Sequence, residues 1–186
     1  MLASASGALA ATFYGKLKFG KPDPTWMCNG MLAGLVAITA PCAFVQPWAA
    51  MTIGLIAGTL VVIAARFIER RGVDDPVGAV AVHGVNGTFG VLAVGLFADG
   101  QYGAGWNGTT TTTKGVTGLF YDASEGLGQL GSQAIAVVVL WTVIFGIAFA
   151  FFKIQNALMK GGIRPTAEVE SEGMDMPEMG AYAYVD

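Results

Sequence analysis

Charge is what this sequence has least of. Only 12% of its 186 residues are Asp, Glu, Lys or Arg, about half the roughly 25% of an ordinary soluble domain. Histidine occurs once and cysteine twice. So few ligand-type side chains give no zinc spacing, and no nucleophile–base pair or phosphate-binding loop is present. An enzyme is therefore not expected, and neither is a cofactor, a metal site or a nucleic-acid partner. The two cysteines, Cys28 and Cys42, fall in one predicted helix 14 residues apart. At 1.5 Å per residue that is about 21 Å, far beyond disulfide reach, so both are read as small buried hydrophobes.

What the chain has is long apolar runs. It is 54% hydrophobic, with mean hydropathy +0.58 and 27 glycines. The runs are too long and too numerous for the core of a soluble domain of this length. The expected fold is an all-α polytopic membrane protein with about five transmembrane helices, at roughly 1–15, 25–45, 48–68, 76–98 and 130–152. A span needs about 20 apolar residues. The last four segments meet that length and the first is short.

Basic residues set the orientation. Lys16, Lys18 and Lys21 follow the first segment, Arg66, Arg70 and Arg71 separate the third and fourth, and Lys153, Lys160 and Arg164 close the fifth. With the N-terminus outside and the C-terminus in the cytoplasm, all three clusters face inward and only Lys114 is left outside. A cell-membrane location follows. Residues 1–165 are then the membrane region and 166–186 a cytoplasmic tail, which carries six acids and no base. The outer connections are a tight turn at Gln46–Pro47 and a long polar loop from Asp99 to about Gly128. That loop contains a threonine run, Thr109 to Thr113, and a glycosylation-type triplet at Asn107.

Three local patterns stand out. Gly30-x-x-x-Gly34 and Gly54-x-x-x-Gly58 are small-residue repeats that let helix backbones approach closely. In the fourth segment Gly84, Gly87 and Gly90 recur every third residue and read as one further contact stripe. Its start is marked by Asp75, placed to cap a helix whose first turn would hold Pro76.

His83 is the sole histidine and lies inside that fourth run. Counted from Pro76 it is about 10 Å along the axis, with Asn86 at i+3 read as sharing its face. An ionisable side chain inside a span is a functional hypothesis by default. Two readings stay open: a hydrogen-bonded core histidine bracing two helices, or a conduction or proton-relay residue whose two ring nitrogens donate and accept. A relay needs a second polar group, and no Asp, Glu or further His lies at membrane depth here.

Three stretches carry a resemblance: CNGMLAGLVAITAPCAFVQPWAA (Cys28 to Ala50), VDDPVGAVAVHGVNGTFGVLAVGLFA (Val73 to Ala98) and EVESEGMDMPEMGAYAY (Glu168 to Tyr184). Together and in this order they resemble the Amt/Mep/Rh ammonium transporter family, on the Amt side. The resemblance implies a homotrimer, each protomer an eleven-helix bundle with its own narrow hydrophobic pore. It places this chain as the C-terminal part, the first segment ending the seventh helix and the fifth being the eleventh. His83 matches the second of two pore-lining histidines that carry ammonium or ammonia through a dry constriction. Ala79, Leu32 and Asn29 match positions near the cytoplasmic side of the pore. The tail matches a cytoplasmic region that can bind PII-type signalling proteins.

Nothing here matches the family's first six helices or its first pore histidine. The expected function is transmembrane transport of ammonium or ammonia with His83 in the pore. The alternative is a truncated, non-conducting membrane fragment that associates with other subunits or signals through its tail. A gas channel of the Rh type is a third, weaker fit.

Overall fold

A computed structural model describes residues 1–104 and 115–181. Among these residues every regular element is helical, and the only strand-like pairing is an isolated bridge between Asp99 and Thr117. The chain divides into two compact units, Met1–Val138 and Val139–Asp186. The threonine run, Asn107 and Lys114 lie outside the described residues.

The first unit is built around α1 (Leu2–Phe19), α2 (Pro24–Thr39), α3 (Pro47–Arg70) and α4 (Val80–Phe97). Local signals end and start them as physical chemistry expects. Gly20 closes α1 in the left-handed region at φ 85°, which only glycine adopts without strain. Asp23 caps α2 by accepting from the Thr25 N–H at 2.8 Å, with Pro24 in the first turn. Gln46 and Pro47 open α3, and the turn expected there falls earlier, at residues 40–44, where the Phe44 N–H bonds the Pro41 carbonyl at 2.8 Å.

Glycine decides how the helices meet. α1 lies against both α2 and α3 along small residues. A Cβ on Gly34 would collide with the Ala3 carbonyl, and one on Gly30 would sit 2.5 Å from the Gly7 carbonyl oxygen. On α3, a Cβ on Gly54 would meet Ala3, and one on Gly58 would come within 2.8 Å of the Gly7 Cα. Both small-residue repeats are therefore contact surfaces, and both face the same ridge of α1. These approaches make α1 antiparallel to α2 and parallel to α3. The Arg66 guanidinium also stands 4.6 Å from the Phe19 ring centroid. The basic ends of α1 and α3 thus share one end of the bundle.

The interior is small-sided. Ala11, Ala33, Ala37, Ala49, Ala57, Ala81 and Ala93 are fully buried, with Ile53, Val61 and Val62 the largest apolar side chains among them. The bulky residues of α1 face outward: Phe13 is 62% exposed and Leu17 85%. That inversion suits a bilayer, where association depends on close packing and large apolar side chains need not leave the lipid. Cys28 and Cys42 also face outward as free thiols, correcting the expectation that they are buried. Cys42 lies beyond the end of α2, in the turn leading to α3.

Among the described residues three helices are long and apolar enough to cross a membrane: α3, α4 and α5 (Ala123–Leu158). They have 24, 18 and 36 residues, or about 36, 27 and 54 Å, against a hydrocarbon thickness of about 30 Å. The α5 apolar window has none of its residues buried. In the second unit α5 widens into a π-helical stretch at Leu140–Ile144. The tail holds a short helix, α6 (Ala167–Glu172), capped by the Thr166 side chain, and one π-helical turn at Asp175–Met179.

Candidate functional site: the first turns of α4

The connection from α3 to α4 departs most from the expected pattern. Asp75 does not sit directly before a helix. Residues Asp75–Gly78 form a turn closed by the Gly78 N–H on the Asp75 carbonyl at 3.0 Å, with Gly78 at φ 74°. Regular helical structure starts only at Ala79 and Val80. The expected capping still occurs, but at longer range. The Asp75 carboxylate accepts the Val80 N–H at 3.1 Å and the Ala81 N–H at 3.3 Å. It is buried, 6% exposed, and such charge-assisted bonds at a helix start are the strong kind.

From Val80 to Val85 the backbone is wound as π-helix before returning to α-helix at Asn86. Single π turns are rare and are frequent at functional sites. This one carries His83. Counted from the first helical residue, His83 is about one turn in, not the two turns expected from Pro76.

His83 is exposed, so it is not a core brace between the helices of this chain. Ala79 is exposed too, and Leu32 is 46% exposed. Asn29 differs: it is buried, and its side-chain amide donates to the Val77 carbonyl at 3.3 Å. Three of the four residues singled out are therefore on open surface of two helices that pack together, and the fourth anchors the turn entering α4.

Asn86 corrects another expectation. It does not share a face with His83: it is wholly buried, with its side-chain Nδ2 donating to the Ala81 carbonyl at 3.0 Å. The wider π turn rotates residues that an α-helix would place together. Asn86 Oδ1 has no hydrogen-bond partner among the described residues, an omission costing about 1–3 kcal/mol when an acceptor is buried. The proposed glycine stripe holds only in part. A Cβ on Gly90 would lie 2.5 Å from the Ala37 carbonyl oxygen, whereas one on Gly87 would touch only Val36, at 3.8 Å.

The far end of α4 holds a carboxylate that sequence reasoning passed over. Asp99 is 8% exposed. It accepts from the Gln101 and Tyr102 N–H groups at 2.9 Å each and from Gln46 Nε2 at 3.2 Å. Trp48 in turn donates to Gln46 at 3.2 Å. These bonds tie the start of α3 to the end of α4. The Asp99–Gly100 sequence suggested only a loop, and nothing in it signalled burial. A cleft of about 350 Å³ lies where α3 joins the α4 turn, lined by Glu69, Gly72, Val73, Asp74, Asp75 and Pro76. It includes none of the four predicted residues.

Helices joined backbone to backbone by glycine, bulky apolar residues facing out and three membrane-length spans define a multi-pass helical membrane protein. The Ammonium Transporter Family model matches residues 1–184. The chain belongs to that family, a family of transporters and not of enzymes. It is 45% identical over 183 residues to the ammonium transporter Amt2 of Archaeoglobus fulgidus, covering 98% of this chain and 37% of that protein. It is 34% identical over 168 residues to an ammonium transporter of Bacillus subtilis, covering 89% of this chain and 38% of the relative. Among solved structures, a sensor Amt protein matches with TM-score 0.77 and 35% identity over 95% of this chain and 40% of that one. Mep2 of Saccharomyces cerevisiae matches with TM-score 0.73 and 26% identity over 90% and 36% respectively. The chain thus spans under half the length of each of these relatives.

Proposed function

We propose that this chain supplies one wall of an ammonium-conducting pore and that His83 projects from that wall into the path. The observation that carries this reading is the exposure of His83 on a membrane-length helix. A polar, ionisable ring facing lipid would be costly. Facing a pore completed by the remainder of the protein, it has a use. Exposed Ala79 and Leu32 extend the same wall with apolar surface, and Asn29 supports it from behind through Val77.

A dry wall with one imidazole suits ammonia, which needs only a hydrogen bond to a ring nitrogen. Hydrated metal cations are disfavoured because nothing on the wall replaces their water. Ammonium is the proposed substrate, delivered to the pore and deprotonated along it. The pore is completed by the part of the fold that this chain does not span, and the assembly is a homotrimer in the cell membrane.

The C-terminus is proposed to be cytoplasmic. The shared end of α1 and α3, which gathers Lys16, Lys18, Arg66 and Arg70, supports that orientation through the positive-inside rule. A PII-type protein is the proposed partner of the acidic tail.

Growth on limiting ammonium tests the reading, in a host without its own ammonium transporters that expresses the full-length protein. Wild type restores growth and His83→Ala, present at equal membrane abundance, does not. Equal growth of the two would remove His83 from the path and leave the non-conducting alternative.

A further inference from the structure

Residue Ala81 is held from both sides. Its N–H is taken by the Asp75 carboxylate at 3.3 Å, and its carbonyl receives the Asn86 side-chain amide at 3.0 Å. The backbone N–H of Asn86 reaches the same carbonyl. That i to i+5 bond is the one that defines a π turn. Asn86 therefore doubles the bond that keeps the turn wide. It does so from a position with no exposure at all, where its Oδ1 has no partner among the described residues. An apolar residue of equal size would fill this site without leaving an acceptor unmet. What the amide adds is the donor to Ala81.

His83 lies between the two ends of that bond, two residues after Ala81 and three before Asn86. Ala81 and Val82 are buried while Ala79, Val80 and His83 are exposed. If the turn tightened to α-helix, the rotation per residue would change and the imidazole would swing relative to the buried face. The flanking parts of the helix cannot follow freely. Gly90 is locked against Ala37, and the Val80 and Ala81 N–H groups are locked on Asp75.

We infer that Asn86 is a positioning residue for His83: its side-chain amide holds the Val80–Val85 turn in the π form, and that form aims the imidazole at the open face. The inference rests on the proposed pore role of His83 for its functional meaning, but its geometry can be read without transport.

The test places His83→Cys in the full-length protein, in a background without other cysteines. The rate of alkylation at position 83 by N-ethylmaleimide is then measured with Asn86 and with Asn86→Leu, which keeps the branching at Cγ and removes the donor. The expected result is alkylation at least fivefold slower with Asn86→Leu, at unchanged trimer yield. Equal rates would overturn the inference. If Asn86→Leu fails to accumulate, deletion of Val85 removes the extra residue of the wide turn without touching the amide. It is expected to slow alkylation by the same factor, and an unchanged rate there would equally overturn the proposal.

Ammonium uptake separates this from the pore reading. With His83 restored, Asn86→Leu is expected to lower uptake at least fivefold. Wild-type uptake by His83→Ala would refute the pore role whatever Asn86 does. Loss of uptake by His83→Ala with full uptake by Asn86→Leu would refute the positioning role alone.

Discussion

The side-chain amide of Asn29, on α2, reaches 48 residues along the chain to bond the carbonyl of Val77 at 3.3 Å. That contact fixes the turn before α4. Gly78, the next residue, has φ 74°, and a Cβ there would stand 3.0 Å from Asn29 Nδ2. Asn29 and the turn are thus fitted to one another, and the first helical residues of α4 follow directly from it. Asn29→Ala should lower stability by about 1 kcal/mol, the net worth of such a bond. Thermal unfolding of the detergent-purified protein would register it as a lower midpoint, with ammonium uptake reduced but not lost. An unchanged midpoint would show that the bond contributes nothing.

Asp75 should matter more than an ordinary surface acid. Asp75→Ala leaves the Val80 and Ala81 N–H groups without their acceptor and should cost about 1–2 kcal/mol, as for the loss of a strong helix cap. Asp75→Asn keeps one oxygen and should cost less. Thermal midpoints in the order wild type, Asn, Ala are the expected outcome.

Glycine positions divide sharply. Gly34→Leu or Gly58→Leu drives a side chain into the backbone of α1. Overpacking of this kind costs about 1–3 kcal/mol and more where backbone is the obstacle. Little folded protein should be extractable. Gly128 and Gly131 lie in open space on α5, so Gly→Ala there should be neutral or raise helix stability by up to about 1 kcal/mol. Membrane-extracted yield compared across these four substitutions checks the contrast.

The two thiols report orientation. Cys28 lies in the first turns of α2 and Cys42 in the turn after it, both exposed. With the basic end of the bundle inside, a membrane-impermeant maleimide applied to intact cells should modify Cys42 and spare Cys28. The reverse pattern would invert the topology.

How much of this could be read in the sequence differs element by element. The order of the helices was legible because hydropathy windows respond to long apolar runs. Gly30, Gly34, Gly54 and Gly58 were legible as packing surfaces because spacing alone places them on one face. What the repeats could not say is that both face the same ridge of α1. Cys28 and Cys42 face outward, against the expectation of burial, because inside a membrane an apolar side chain is as well placed facing out as facing in. Asp75-Pro76 looks like an ordinary helix start, but the left-handed Gly78 interrupts it and the carboxylate caps from five residues back, so α4 begins later than the pattern implies. The π turn left no trace in a pattern judged at 3.6 residues per turn. Spacing at that period puts Asn86 on the face of His83, whereas the π turn buries it at the core.

The most direct test of the account is ammonium flux into liposomes containing the full-length protein, measured for wild type and His83→Ala at equal protein content under an inward ammonium gradient. The substitution is expected to lower flux at least tenfold while the folded protein and its thermal midpoint are retained. Flux at the wild-type level through a correctly folded His83→Ala protein would contradict it.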